Sequence, residues 1–192
     1  MPLIYFVRHG QTDYNAAKRI QGDLDIPLNA TGRSQAQRNG ALLNELIAGK
    51  QRFDFVASPL LRARQTMEIV RAAMGLPPDG YRTDDRLREI GFGEWGGLTW
   101  PEIAERDPDR YERRNADRWN VAAPGGQSYR EVYQSVGEWL SEAARDTVVV
   151  AHFGTSRLIR GHVLKLPPEE ILRLDAPQDK VLMIDGDTLS WL

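Results

Sequence analysis

Residues 4–10 of the chain, IYFVRHG, place four apolar residues directly before an arginine, a histidine and a glycine. An apolar run of this length predicts a buried strand over residues 4–7, which ends where the charge begins. Residues 147–152, TVVVAH, repeat the arrangement, with a predicted buried strand that ends at His152. Between these runs, strand patterns alternate with helical ones. The alternation predicts an α/β fold with a mostly parallel central sheet.

Local signals place the other elements. We predict that Thr31 and Ser58 are the N-caps of two early helices, because each precedes apolar residues at helical spacing. Capping boxes predict two later helices, which begin after Thr99 and Ser128. The remaining predicted elements are a strand over 53–57, an extended segment over 81–90, a helix over 154–165 and a C-terminal hairpin around residues 185–186.

The composition limits the partners. A formal net charge of -2 over 192 residues does not favour general nucleic-acid binding. No run approaches the ~20 apolar residues that span a bilayer, so we expect no membrane partner and a cytoplasmic location. The chain has no cysteine, which excludes disulfides, thiolate metal sites and cysteine nucleophiles.

The length predicts a single domain, residues 1–192, with an unusual middle. Residues 97–124 are rich in Gly, Arg and Trp and have weak periodicity, so we expect them to form a lid-like insertion, a small helical cap. The C-terminal stretch LSWL, residues 189–192, is predicted to be exposed. It could pair with another subunit, so a homodimer is one possible state.

Ionisable residues gather where the predicted strands end. Arg8 and His9 follow the first strand, and Arg62 lies in the first turn of the helix after the second. Glu89 follows the extended segment, and His152 follows the last central strand. Because parallel strands present their carboxyl ends at one edge of a sheet, we expect these side chains to face a common site.

This set of residues indicates phosphoryl transfer. A neutral imidazole is a competent nucleophile towards phosphorus, and fixed cations stabilise the negative charge of the transferring group. A carboxylic acid such as Glu89 can protonate the departing oxygen. Since Arg8 and Arg62 supply positive charge, we expect no metal and no cofactor.

Six spaced blocks of the chain resemble the histidine phosphatase superfamily, in its phosphoglycerate-mutase-like branch. In order, they are VRHGQTDYN, QGDLDIPLNATGRSQA, SPLLRARQT, LREIGFGEWGG, PGGQS and VVVAHFGTSR. The resemblance covers about 150 residues in this order, which is far more specific than a lone Arg-His-Gly. It implies a three-layer α/β/α sandwich with a helical cap.

The resemblance also implies residue roles. His9 would be the nucleophile that becomes phosphorylated, and Glu89 the proton donor. The implied phosphate- and substrate-binding residues are Arg8, Asn15, Gln21, Gly22, Arg62, His152 and Phe153. Phe153 stands where the family commonly has glycine, so its ring either narrows the pocket or packs into the sheet, and we favour packing. Gln127 and Ser135 also depart from the family pattern, which usually has Glu at the first position and often Arg at the second. We expect that Glu–Arg pair to support the site from its edge.

Other residues have plainer interpretations. Glu94 is the alternative proton donor, and we expect His162 to be structural. The aromatic residues Trp95, Trp100, Tyr111 and Trp119 are predicted to pack between lid and domain. The stretch RYERRNADR, residues 110–118, is predicted to be a solvated helix face. The alternative is that its arginines bind an anionic substrate.

The leading functional hypothesis is a metal-independent phosphatase that hydrolyses a small phosphorylated metabolite through a phosphohistidine on His9. One alternative is a phosphoglycerate-type mutase, but such family members are typically longer than this chain. Another alternative is a non-catalytic phosphate-binding module, although the retention of His9 and Glu89 argues against it. The stretch QGDLDIPLNATG, residues 21–32, is more similar to the phosphatase members, which include alpha-ribazole phosphatases and fructose-2,6-bisphosphatase domains.

Overall fold

A six-stranded mixed sheet forms the centre of the protein in a computed structural model, which describes residues 1–50 and 52–192 in full and Gln51 by its backbone alone. The strands lie in the order β3-β2-β4-β1-β5-β6. β3, β2, β4 and β1 pair in parallel, whereas β5 and β6 add to β1 in antiparallel fashion. The prediction of a mostly parallel sheet is therefore confirmed. The strands are β1 Ile4–Arg8, β2 Asp54–Ala57, β3 Arg82–Thr83, β4 Thr147–Ala151, β5 Val181–Asp185 and β6 Thr188–Trp191.

Helices cover the sheet on its two faces. The described helices are α1 Asp13–Ala16, α2 Ala30–Leu46, α3 Leu61–Ala73, α4 Trp100–Arg106, α5 Pro108–Ala116, α6 Tyr129–Glu142, α7 Phe153–Leu164 and α8 Pro168–Ile171. α2 and α3 pack with Val7 and Val150 in one apolar cluster. α6 and α7 pack with Phe6 and Val149 in the other. Because neighbouring strand residues point to opposite faces, these two clusters make the predicted three-layer sandwich.

The strand register brings the candidate residues to one edge. Arg8 pairs with Ala151, and Ala57 pairs with Val150, so β1, β4 and β2 end side by side. The residues that follow β1 and β4 are His9 and His152. The carboxyl ends of the parallel strands therefore meet as the sequence pattern predicts.

Several predicted element boundaries are wrong. Helix α2 is capped by Asn29, whose side chain accepts from the N–H of Gly32, and not by Thr31. Helix α3 begins after Leu60, so Ser58 lies outside it. The extended segment over 81–90 contains only the short strand β3, followed by a 3-10 turn, Asp85–Leu87.

The middle of the chain and the C-terminus complete the fold. Thr99 and Ser128 form the predicted capping boxes at the starts of α4 and α6. Trp95, Ile103 and two further apolar residues make a third small cluster beside α4. The C-terminal hairpin is confirmed, and Trp191 of β6 packs against the core rather than standing fully exposed. None of the described helices is both long and apolar enough to cross a membrane.

Candidate active site

A cavity of about 630 Å³ opens at the edge where the parallel strands end. Its lining includes eight of the nine predicted site residues, Arg8, His9, Asn15, Gln21, Gly22, Arg62, Glu89 and Phe153. The ninth, His152, is fully buried behind it, and its ring centroid lies 5.2 Å from that of His9. The fold therefore brings the two imidazoles together from the ends of two neighbouring strands.

The ring of His9 is held in one tautomer. Its Nδ1 lies 2.7 Å from the carbonyl oxygen of Gly10, and a carbonyl only accepts, so Nδ1 carries the proton and donates it. Nε2 is then the nitrogen with the lone pair. Residue 10 has no room for a side chain, because a Cβ there would lie 2.2 Å from the carbonyl oxygen of Gly32. The glycine after the histidine is therefore required by the close approach of α2.

Ser58 holds the second imidazole. Its Oγ lies 2.7 Å from Nε2 of His152, and both side chains are completely buried. Oγ also accepts from the N–H of Leu60 at 3.4 Å, and its own hydroxyl proton can be donated to Nε2 of His152. In that arrangement Nδ1 of His152 carries the single proton of the neutral ring. Within the described part of the chain this buried Nδ1 has no hydrogen-bond partner.

Burial and neighbouring cations keep the two histidines neutral. The pKa of His9 is held well below its usual value by burial, then by the guanidiniums of Arg62 and Arg8. The pKa of His152 is lowered well below its usual value by the same causes, with His9 as a further contribution. A neutral imidazole is the form that can attack phosphorus.

Backbone carbonyls fix the two guanidiniums. Arg62 is fully buried and donates to the carbonyl oxygens of Gly22 at 2.6 Å and Leu24 at 2.7 Å. Arg8 donates to the carbonyl oxygen of Ala176 at 2.7 Å. Burial lowers the pKa of Arg62 to about 10, and it also lowers the pKa of Arg8. Arg62 stays charged at neutral pH, and the Nε atoms of these two arginines have no partner among the described residues.

Glu89 lies against the start of α7. Its Oε1 accepts from the N–H groups of Ile90 at 3.0 Å and Gly154 at 3.1 Å. A Cβ at Gly154 would stand 2.4 Å from this oxygen, so only glycine leaves room for the carboxyl group. Glu94, the alternative acid, lies outside the cavity lining and is exposed beside Arg110.

The polar side chains around the N-terminus of α1 form a connected hydrogen-bond network. Oδ1 of Asn15 accepts from the N–H of Thr12 at 3.1 Å and from Nε2 of Gln178 at 3.2 Å. The hydroxyl of Thr12 donates to Oε1 of Gln21 at 2.8 Å. Gln178 also donates to the carbonyl oxygen of His9 at 3.0 Å. Because these bonds engage Oδ1 of Asn15, the amide nitrogen at the other end of the same group points away from Thr12 and Gln178.

The expectation that Phe153 packs into the sheet is wrong. Its ring is half-buried and lines the cavity. The guanidinium of Arg157 lies 4.0 Å from the ring centroid, and that of Arg8 lies 5.0 Å from it. The residue that departs from the family pattern is therefore a wall of the site in contact with two cations.

Two further expectations need correction. Trp100 and Tyr111 line the cavity, whereas Trp95 and Trp119 pack in apolar clusters as predicted. The stretch over residues 110–118 is not wholly solvated, because Arg114 is only 2% exposed and lines the cavity.

Other predicted residues lie outside the cavity lining. His162 is structural as expected, since it stacks on Tyr133 at 3.6 Å. Gln127 accepts from the N–H of Gly91, so it steadies the loop after Glu89. Ser135 donates only to the backbone of its own helix.

Sequence reasoning missed three residues near the site, Ser58, Arg157 and Gln178, and left Arg114 as an alternative within residues 110–118. Ser58 was interpreted as a helix cap, although Ser-Pro after a strand is also consistent with a side chain at the strand end. Arg157 follows Phe153 by four residues in α7, which places the two side chains on the same face of the helix. Gln178 carries no local signal.

Comparison with known proteins agrees with this geometry. Glucosyl-3-phosphoglycerate phosphatase of Mycobacterium tuberculosis is 35% identical over 176 residues, which cover 85% of this chain and 76% of that protein. Phosphoglycerate mutase-like protein 4 of Arabidopsis thaliana is 36% identical over 163 residues, which cover 80% and 67%. The structure of the mycobacterial glucosyl-3-phosphoglycerate phosphatase with VO3 aligns with a TM-score of 0.80 at 31% identity, over 100% of this chain and 96% of that one.

A family model described as histidine phosphatase superfamily (branch 1) matches residues 4–191. The match spans nearly the whole chain and confirms the resemblance carried by the six sequence blocks. The chain belongs to the histidine phosphatase superfamily.

Proposed function

We propose that the protein is a phosphoric monoester hydrolase that acts on a small phosphorylated metabolite through a phosphohistidine on His9. The observation that carries this proposal is the 5.2 Å separation of the His9 and His152 rings beside Arg8 and Arg62 at one cavity. Membership of the histidine phosphatase superfamily and the names of the relatives support it.

In the first step the lone pair on Nε2 of His9 forms a bond to phosphorus, and the bond from phosphorus to the substrate oxygen breaks. Glu89 gives its proton to that oxygen, so the product leaves as an alcohol. In the second step Glu89 takes a proton from water, whose oxygen attacks phosphorus. The N–P bond breaks, its electron pair returns to Nε2, and inorganic phosphate is released.

The surrounding groups stabilise the transferring phosphoryl group. Arg8 and Arg62 are fixed by backbone carbonyls before substrate binds, so little reorganisation is needed when charge develops. The Nδ1–H of His152 and the amide nitrogen of Asn15 are the further donors. We propose that these groups take the place of a metal ion.

We also propose that residues 97–124 act as a lid on a single domain of residues 1–192. The segment contributes Trp100, Tyr111 and Arg114 to the cavity lining, facing the strand-end residues. Closing such a lid over the substrate would exclude bulk water from the phosphoryl group.

Turnover of p-nitrophenyl phosphate in EDTA tests the proposal. The wild-type protein should release phosphate and form an acid-labile phosphoenzyme, and His9→Ala should do neither. The same preparation should isomerise 3-phosphoglycerate more slowly than it releases phosphate, because hydrolysis completes the cycle. Absence of turnover by the wild type, an active His9→Ala variant or faster isomerisation would overturn the proposal.

A further inference from the structure

We propose that Gln178 is a positioning residue of the candidate active site, which acts on the reaction through Asn15 without touching the substrate. Its side chain lies outside the cavity lining, whereas Asn15 is part of that lining. The inference rests on the proposed function, because it concerns how a phosphate-binding amide is oriented. The observation that carries it is a pair of hydrogen bonds from Nε2 of Gln178, to the carbonyl oxygen of His9 at 3.0 Å and to Oδ1 of Asn15 at 3.2 Å.

The orientation of both side-chain amides follows from their backbone partners. A carbonyl only accepts, so the atom of Gln178 that faces the carbonyl oxygen of His9 is the nitrogen. A backbone N–H only donates, so the atom of Asn15 that faces the N–H of Thr12 is Oδ1. The two assignments agree where the side chains meet, because Nε2 of Gln178 is there the donor and Oδ1 of Asn15 the acceptor. Both amide hydrogens of Gln178 are therefore used.

These bonds decide which end of Asn15 faces the cavity. Oδ1 accepts from Thr12 and from Gln178, so the two hydrogens of Nδ2 are left for a ligand in the cavity that Asn15 lines. Inverting the amide would set Nδ2 against two donors and turn the oxygen towards the phosphoryl oxygens, which are also acceptors. Gln178 is one of those two donors, and it therefore opposes the inversion.

The loop that carries Gln178 is itself held in place. Residues 172–180 connect α8 to β5, and three arginines donate to three successive backbone carbonyl oxygens of this loop. The pairs are Arg157 with Leu174, Arg160 with Asp175 and Arg8 with Ala176. Nδ2 of Asn39 donates to the carbonyl oxygen of Gln178 at 3.2 Å. Because the main chain on both sides of the contact is fixed, the amide of Gln178 can hold another side chain in one orientation.

Gln178→Glu tests the two donors at nearly constant size. A carboxylate cannot donate, so it would face two acceptor oxygens, and Asn15 would turn its Nδ2 towards the new charge and its oxygen towards the cavity. We expect kcat/KM for p-nitrophenyl phosphate at pH 8 to fall by about 10- to 100-fold, the effect of losing a hydrogen bond to a charged group. Relative to the wild type at each pH, the loss should shrink towards pH 5, because a protonated carboxyl group regains one donor.

Gln35→Glu is the matched control. Gln35 is half-buried like Gln178, but its Oε1 accepts from the N–H of Gln11 at 2.8 Å, and a carboxylate can accept the same bond. The change adds the same charge and should keep kcat/KM within about 2-fold of the wild type at both pH values. Thermal unfolding at pH 5 and pH 8 identifies the temperature range in which all three proteins are folded, and the rates are compared there.

A double-mutant cycle tests whether Gln178 acts through Asn15. Gln178→Met nearly keeps the length of the side chain and removes both donors, and Asn15→Ala removes the amide that Gln178 orients. Each single change should lower kcat/KM by about 10-fold or more. The double variant should lie within about 3-fold of Asn15→Ala alone, because the orientation of a missing amide no longer matters.

A measurement on the wild type does not depend on the folding of any variant. Added inorganic phosphate should shift the side-chain ¹⁵N–¹H signals of Asn15, because its Nδ2 gains an acceptor. The corresponding signals of Gln178 should move much less, since both its hydrogens are already bonded within the protein.

The outcomes separate this inference from the proposed function. A wild type that hydrolyses p-nitrophenyl phosphate overturns the inference alone if Gln178→Glu keeps its kcat/KM or loses equally at pH 5 and pH 8. Losses that multiply in the double variant, or Asn15 signals that phosphate leaves unmoved, do the same. A wild type that does not hydrolyse the ester overturns the proposed function and the inference with it.

Discussion

Ser58→Ala should lower activity as well as stability, because Ser58 sets the tautomer of His152. The hydroxyl bonds to Nε2 across 2.7 Å, with both partners fully buried. Removing it leaves a buried nitrogen unpaired, which costs about 1–3 kcal/mol. It also frees the proton to move to Nε2, which would turn the lone pair of Nδ1 towards the phosphoryl oxygens. We expect kcat/KM for p-nitrophenyl phosphate to fall by about 10- to 100-fold, because the phosphoryl group loses a hydrogen-bond donor in the transition state.

Ser156→Ala provides the matched control. Ser156 is also completely buried, but its Oγ has no partner among the described residues, so the substitution loses no hydrogen bond. Steady-state kinetics and thermal unfolding should show it within about 0.5 kcal/mol of the wild type. The ¹⁵N resonances of His152 should report the Nδ1–H tautomer in the wild type and a mixture in Ser58→Ala. Unchanged kcat/KM in Ser58→Ala, or an unchanged tautomer, would refute the role given to Ser58.

Three further predictions follow from the same geometry. Glu89→Gln should slow release of an alkyl alcohol by about 100-fold or more and of p-nitrophenolate by much less, because only the alkoxide needs a proton. Equal losses of rate for the two leaving groups, or a similar selective loss in Glu94→Gln, would show that Glu89 is not the proton donor. Gly154→Ala should reproduce that selective loss, because a Cβ would lie 2.4 Å from Oε1 of Glu89; a wild-type leaving-group dependence would contradict this. The free energy of unfolding should fall below about pH 6.5, since both site histidines have lowered pKa values and only the unfolded state takes up protons there. The slope should approach about 1.4 kcal/mol per pH unit per histidine, and urea titrations should show a shallower slope in His152→Asn; equal slopes would contradict the assignment.

The parts of the site that sequence could predict are those tied to the sheet. Apolar runs that stop at Arg8 and at His152 locate strand ends, and parallel pairing brings such ends together whatever the intervening loops do. The glycines are visible in the sequence, but the contacts that require glycine at those positions come from residues distant in the chain. Gly154 is needed because Glu89, far away in the chain, occupies the space of a side chain.

The parts that could not be predicted depend on which way a side chain turns within a loop or a short helix. Ser58 has the sequence of an N-cap, yet the helix begins three residues later and the hydroxyl serves His152 instead. Arg114 lies in a strongly charged stretch typical of a solvated face, yet it is buried with its guanidinium against the rings of Phe92 and Trp100. The sequence predicts that Phe153 packs into the sheet, but its ring lies in the cavity lining against two guanidiniums.

A crystal structure with orthovanadate would test the shared phosphoryl site most directly. Vanadate adopts the five-coordinate geometry of the transferring phosphoryl group, so its position reports the reacting centre. We predict vanadium bonded to Nε2 of His9, with its oxygens accepting from Arg8, Arg62 and Nδ1 of His152. Vanadate bound to another residue, or bound in the cavity with His152 turned away from it, would contradict the account.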